Sequence, residues 1–248
     1  MSGHSKWHNI QATKNKADAA RGKIFTKIGR EIAVAVKLGG PDPTINSKLY
    51  DVIQKAKKNN MPNDNIQRSI KKAAGGEDGG NFDSITYEGY GSHGVAFIVE
   101  CLTDNRNRTA ADVRHLFDKF NGSLGSTGSV TYMFDYKGVI VFPNDDTVSE
   151  DLLMITALEN GAEDVITEED CYEVITAPAM LSEVNQAFEK AGLESVSSEV
   201  SYVPQNMIEL SKDAAISINK LIVALEDLDD VQTVYTNADF SALDGEEE

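Results

Sequence analysis

The apolar residues of this chain change their period once, near Gly75, and that change limits the fold more than any other feature. Before it they recur every three to four residues, the spacing of amphipathic helices. From about Lys16 to Leu38, Ile24, Phe25, Ile28, Ile32, Ala35 and Val36 fill a sector of about 120° on a helical projection. Gly39-Gly40-Pro41 ends that helix. Asn46 caps a second, with Leu49, Val52, Ile53 and Ala56 on one face, and Asn59-Asn60 closes it. Pro62 takes the first position of a third, Ile66 and Ile70 face inward, and Gly75-Gly76 ends it. These patterns predict a three-helix bundle.

Beyond a hinge at Gly75–Gly80 the pattern becomes strand-like. Ser84–Glu88 and Val95–Thr103 read as strands around the turn Gly89–Gly94. A helix capped by Asp104 buries Val113, Leu116, Phe117 and Phe120. The Gly/Ser-rich loop Gly122–Ser129 then leads to a strand, Val130–Phe134. Strand Lys137–Phe142, helix Ser149–Glu159, strands Asp164–Thr167 and Cys171–Thr176, helix Ala179–Ala191 and strand Ser195–Val203 follow as βαββαβ, the ferredoxin-like split unit. The helix Asp213–Leu228 and the strand Val231–Thr236 have no partner there, so they complete the earlier set around an insertion. The fold class is therefore α+β multidomain: an N-terminal three-helix bundle, an α+β domain, and a ferredoxin-like domain inserted in it. The expected boundaries are 1–76 for the bundle, 77–136 plus 205–238 for the α+β domain, 137–204 for the insertion and 239–248 for an acidic tail.

Charge divides at the same place. The chain carries −17 overall, which by itself argues against a polyanion partner. Residues 1–75 hold 15 Lys/Arg and 5 Asp/Glu, a net of +10, while the remainder holds 8 and 35, a net of −27. Asymmetry on this scale suggests a basic interaction module on an acidic body. No apolar run approaches the ~18 residues of a membrane span. The start, Met1-Ser-Gly-His-Ser-Lys-Trp-His8, has no apolar core of a signal peptide. Cys101 and Cys171 sit in strand-like runs as buried small hydrophobes, and a reducing, cytoplasmic setting is expected.

Catalytic and cofactor signatures are absent from the sequence. Gly89-Tyr-Gly-Ser-His-Gly94 matches G-x-G-x-x-G but lies between two strands, where a dinucleotide site needs a strand followed by a helix. Gly122, Gly125 and Gly128 lack the Gly-Lys-Ser/Thr of a phosphate cradle and are read as turn glycines with positive φ. His4, His8, His93 and His115 form no zinc-like set with the cysteines. The expectation is a protein without enzymatic activity, cofactor or metal.

The basic residues are the better candidates. Lys16, Lys23, Lys27, Arg30 and Lys37 fall in a sector of about 80° opposite the apolar stripe, so they face solvent or a ligand. Between Lys14 and Leu38, which also include Arg21, only Asp18 and Glu31 are acidic. A solvated face would intersperse more carboxylates at i,i+4, whereas an unbalanced one suits phosphates. The arm Gly3–His8 adds Lys6 and Trp7, whose indole either stacks on a base or anchors the arm. Lys55, Lys57, Lys58, Lys71 and Lys72 extend the positive surface. Arg106 and Arg108, in the first turn of a helix, form either an anion-attracting site or ion pairs with Asp104, Asp112 or Glu100. No helix-turn-helix or other base-reading module is evident.

Six strings occur in order: Gly3-His-Ser-Lys-Trp7, Arg21-Gly-Lys-Ile-Phe-Thr-Lys27, Asn60-Met-Pro62, Tyr87-Glu-Gly-Tyr-Gly91, Asp104-Asn-Arg-Asn-Arg-Thr109 and Gly125-x-x-Gly-Ser-Val130. Together they closely resemble the YebC/PmpR family of probable transcriptional regulatory proteins, over almost the whole chain. The resemblance implies three domains and cytoplasmic, cofactor-free action on gene expression. Some members are labelled DNA-binding regulators, while others, mitochondrial relatives among them, act in translation on the ribosome. Nucleic acid, either DNA or ribosomal RNA, is thus the expected partner, with a protein partner open to the acidic domains. One departure is the stretch His8-Asn-Ile-Gln-Ala-Thr13, where the family is more densely basic.

Overall fold

The computed structural model describes residues 19–75 and 81–243. The hinge residues 76–80, the arm before Ala19 and the last five residues of the acidic tail lie outside that set.

Three helices form the N-terminal region: α1 (Ala19–Gly39), α2 (Ser47–Lys58) and α3 (Asn63–Ala74). Their core is the one that the period dictates. Ile28, Ile32, Ala35 and Val36 of α1 meet Leu49, Val52, Ile53 and Ala56 of α2 and Ile66 and Ile70 of α3, with Met61 between. Asn46 does more than cap. Its Oδ1 accepts from Leu49 N–H, and its Nδ2 donates to Ala35 O (2.9 Å) and Gly40 O (2.8 Å), tying the end of α1 to the start of α2. Pro62 is the N-cap of α3, one position before the expected place.

A four-stranded sheet follows: β1 (Asp83–Tyr90), β2 (Ala96–Thr103), β3 (Ser123–Leu124) and the later β9 (Val231–Thr236), in the order β3-β1-β2-β9. β1 and β2 are an antiparallel hairpin in the register Asp83↔Thr103 to Tyr90↔Ala96, so the glycine-rich string is indeed their turn. α4 (Arg106–Lys119) packs Phe117 edge-on against Phe97, with ring centroids 5.6 Å apart. The helix is capped by Asn105, whose Oδ1 accepts from Arg108 N–H, and not by Asp104. Of the loop glycines Gly128 has φ +83°, but Gly122 is required for close approach: a Cβ there would lie 2.6 Å from Tyr90 O.

The expected strand Val130–Phe134 is a correction. Thr131–Met133 is a 3₁₀ turn, and Phe134 opens β4 (Phe134–Pro143). The strand that pairs with the other edge of β1 is the two-residue β3, inside what reads as a loop.

β4, α5 (Glu150–Glu159), β5 (Asp164–Thr167), β6 (Cys171–Thr176), α6 (Leu181–Lys190) and β7 (Ser197–Pro204) form the βαββαβ unit. Its sheet has the order β5-β6-β4-β7, antiparallel throughout, as a ferredoxin-like fold requires. Ile140, Phe142, Tyr172 and Val174 face Leu153 and Ala157 of α5 and Val184 and Phe188 of α6. The chain then makes β8 (Ile208–Glu209), α7 (Lys212–Glu226) and β9, and ends with β10 (Ala238–Asp239), which is parallel to β8. At the start of the tail expected from 239, Asp239 belongs to β10 and Ser241–Leu243 form a 3₁₀ turn.

By contact the chain divides into two compact units. One joins α1–α3 to the β3-β1-β2-β9 sheet through residues up to Thr127 and Ser217–Val234, and the other holds Gly128–Ile216 and the residues from Tyr235.

Candidate nucleic-acid interface

α1 carries Lys23, Lys27, Arg30 and Lys37 on the face away from its apolar stripe, as the helical period requires. Lys37 stays exposed, but over Lys23, Lys27 and Arg30 that face packs on another part of the chain, and the expectation that it faces solvent or a ligand is corrected there. The packed part lies on the C-terminal end of α7 and the acidic turn Glu226–Asp230, within the same compact unit. Lys23 pairs with Asp227. Lys27 Nζ donates to Glu226 O (2.9 Å), one of the carbonyls that a helix leaves unsatisfied at its C-terminus. Burial pulls the Lys27 pKa below its ordinary value, against the opposing pull of Glu226 and Asp229. Arg30 Nη1 reaches Leu102 O (3.1 Å), Asp229 O (2.5 Å) and Asp230 Oδ1 (2.6 Å), and its guanidinium lies 5.3 Å from the Phe82 ring centroid. Lys37 donates to Asn81 Oδ1.

Arg106 and Arg108 are paired with carboxylates as well. Arg106 Nε donates to Asp83 (3.0 Å). Arg108 Nη2 bridges Asp104 (2.8 Å) and Asp230 (2.7 Å). The two basic strings, more than 70 residues apart in the chain, therefore meet on one carboxylate. Asp230 is 6% exposed. Its Oδ2 also lies 2.7 Å from Thr109 Oγ1 and 3.1 Å from Thr103 Oγ1. Burial alone would raise the Asp230 pKa, but the hydrogen bonds from Thr109, Arg108 and Arg30 hold it at about 2. Its own bonds to Asp230 and Asp104 raise the Arg108 pKa further. A buried carboxylate with this many donors is a structural junction, not a site waiting for an anion.

Sequence reasoning missed Asp230. The available signal was Glu226-Asp-Leu-Asp-Asp230, four carboxylates in five positions directly after a helix, which merges into the generally acidic background.

Open positive charge lies elsewhere. Between Ser47 and Ala74 there are seven basic residues, Lys48, Lys55, Lys57, Lys58, Arg68, Lys71 and Lys72, against Asp51 and Asp64. All seven basic residues are exposed. Lys55 is paired with Glu31 (2.8 Å). Among the described residues Lys48, Lys57, Arg68, Lys71 and Lys72 make no ion pair. Tyr50, half exposed, lies on the Lys57 side of α2. Four residues, Asn59–Pro62, join α2 to α3, the turn length of a helix-turn-helix, and Asn63, Gln67 and Arg68 are exposed at the start of α3. Lys6, Trp7, Lys14 and Lys16 lie outside the described residues, as does the side chain of Arg21 on α1.

Among the described residues no group of three or more His, Cys, Asp or Glu could hold a metal ion, and no helix is long and apolar enough to cross a membrane. Burial, reinforced by nearby carboxylates, pushes both the Cys101 and the Cys171 thiol up to about 12.

Fold and surface together define an α+β protein of several domains, with basic helices preceding an acidic ferredoxin-like insertion. Residues 5–76 match the family profile described as "TACO1/YebC protein N-terminal domain", and residues 82–238 match "TACO1/YebC second and third domain". The chain belongs to the TACO1/YebC family. It is 60% identical over 238 residues to a probable transcriptional regulatory protein of Acetivibrio thermocellus, covering 96% of this chain and 98% of that one. A protein of the same name from Clostridium tetani is 54% identical over 240 residues, covering 97% and 98%. The crystal structure of the conserved hypothetical protein Aq1575 from Aquifex aeolicus superposes with a TM-score of 0.82 at 45% identity, over 90% of this chain and 92% of that one. The names of these curated relatives are those of regulators, not of enzymes.

Proposed function

We propose that the protein is a non-enzymatic, cytoplasmic, nucleic-acid-binding regulator of gene expression that holds phosphates on the outer face of α2 and α3. The observation that carries this reading is the set Lys57, Arg68, Lys71 and Lys72, exposed on two adjacent helices with no ion pair among the described residues, while Lys48 lies on the opposite flank of α2. Unpaired cations on a rigid surface gain most when they displace the counterions of a polyanion. Lys6, Trp7, Lys14, Lys16 and Arg21 precede this surface in the chain and would extend it. The relatives' name supports transcription as the process regulated, which makes DNA the first target to test. The short α2–α3 turn fits that reading, with Asn63, Gln67 and Arg68 the side chains best suited to base edges.

A second reading, a translation factor on ribosomal RNA, is favoured by the position of the negative charge. A net of −27 after residue 75 is repelled along a DNA duplex but tolerated beside a compact RNA site with protein neighbours. Ultraviolet crosslinking in cells followed by sequencing of the bound nucleic acid separates the two. Recovery of defined promoter segments supports DNA, and recovery of discrete ribosomal RNA positions supports RNA. Absence of both above background contradicts the proposal.

A further inference from the structure

α5, with the sequence Glu-Asp-Leu-Leu-Met-Ile-Thr-Ala-Leu-Glu, is apolar around nearly its whole circumference. Leu153 and Ala157 enter the ferredoxin-like core against Phe142 and Phe188. On the other side Leu152, Ile155 and Leu158 are 41%, 54% and 76% exposed. At three-residue spacing they form one continuous ridge. Isolated apolar side chains on a surface are ordinary, but a contiguous ridge on a helix whose other face is already core marks a surface that another element covers. Asp151 and Glu159 are exposed in the same sector of about 120°. Beside it runs a groove of about 410 Å³ between α5 and α6, whose charged lining is Glu159, Glu183 and Lys190.

We propose that this ridge docks a protein segment that is itself apolar and basic, an amphipathic helix with Lys or Arg flanking its apolar stripe. Charge complementarity selects that occupant. In a two-fold contact between copies, each ridge would place Asp151 and Glu159 against the same carboxylates of its partner. Nucleic acid would meet carboxylates and apolar side chains where it needs cations. An apolar helix with basic flanks satisfies both features at once. The surface belongs to the acidic part of the chain, in the compact unit that does not hold the basic helices.

The test uses the full chain and a fluorescent peptide of roughly 14 residues built from Leu and Lys in an amphipathic helical pattern, with a Leu/Glu peptide of the same pattern as control. The Leu/Lys peptide should bind and the Leu/Glu peptide should not. Ile155→Ser with Leu158→Ser, which leaves the charge untouched, should weaken binding by about tenfold or more. Asp151→Asn with Glu159→Gln should weaken it as well. These positions are exposed, so an unchanged thermal melting profile is expected and separates a lost surface from a lost fold. Equal affinity of the apolar variant and the parent chain would show that the peptide responds only to overall acidity and would overturn the proposal. So would binding of the Leu/Glu peptide, or a concentration-dependent dimer of the parent chain that Ile155→Ser with Leu158→Ser dissolves.

Discussion

Two basic faces of the same N-terminal helices look alike in sequence and differ in what the fold does with them. On α1, Lys23, Lys27 and Arg30 turn toward the acidic turn after α7 and are bound there by carbonyls and carboxylates. On α2 and α3, Lys57, Arg68, Lys71 and Lys72 point away from the core and make no ion pair among the described residues. Amphipathicity identifies which side of a helix is not core. It does not say whether the polar side meets water, a ligand or another part of the chain. Positive charge on the first face is used to hold the molecule together, and positive charge on the second stays exposed, where the proposed polyanion would bind.

The largest effect that can break this contrast is at Asp230. Asp230→Ala removes the acceptor shared by Arg30 and Arg108 and leaves Arg30, itself only 14% exposed, without its counter-charge. A loss of about 3–5 kcal/mol in unfolding free energy by urea titration is expected. A loss under ~1 kcal/mol would mean that the junction is not the structural centre described here.

The same carboxylate gives a pH dependence. Its folded pKa of about 2 lies below the ~3.9 of an unfolded aspartate. A depressed carboxylate contributes stability that is complete above the unfolded value and is lost as pH falls through the folded one. Between about pH 5 and pH 1 the protein should lose ~2–3 kcal/mol from this group, most of it by pH 2. In Asp230→Asn that part of the acid sensitivity should disappear, measured as the difference in unfolding free energy between pH 5 and pH 2.5.

Lys23 sharpens the contrast from the other side, because its pair with Asp227 is 43% and 70% exposed. Lys23→Gln should cost no more than about 1 kcal/mol, diminishing with salt. The smallest effect concerns the thiols. With both pKa values at about 12, Cys101 and Cys171 should stay unmodified by a thiol reagent at pH 8 in the folded chain and react after unfolding.

Much of the fold was legible because long, regular patterns carry their own period. The stripes of α1 to α3 and the alternation of strands and helices from Lys137 to Val203 each point to one arrangement, and the structure adopts it. The misses are local. β3 has two residues and no period to detect, and it exists because Gly89 and Gly122 allow its backbone to lie against β1 and Phe117. Around Val130 the β-branched and aromatic run Val-Thr-Tyr-Met-Phe134 has the composition of a strand. Val130 is buried and Tyr132 exposed two positions on, however, which no strand face allows, and the chain makes a 3₁₀ turn. The candidate site was half legible: the basic strings were visible, but their meeting on Asp230 depends on a contact spanning 200 residues of chain, which no local pattern encodes.

The central claim is that polyanions bind the open face of α2 and α3 and not the docked face of α1. Its direct measurement is affinity against salt concentration, by fluorescence anisotropy, for a short DNA duplex and a ribosomal RNA hairpin. Three proteins are compared: the parent chain, Lys57→Gln/Arg68→Gln/Lys71→Gln/Lys72→Gln, and Lys23→Gln/Lys27→Met. The account predicts that the fourfold variant loses affinity and about 3–4 units of the log–log salt slope on whichever nucleic acid binds, while the α1 variant keeps the parent slope. A fourfold variant with the parent slope, or an α1 variant that remains folded and loses it, would contradict the account.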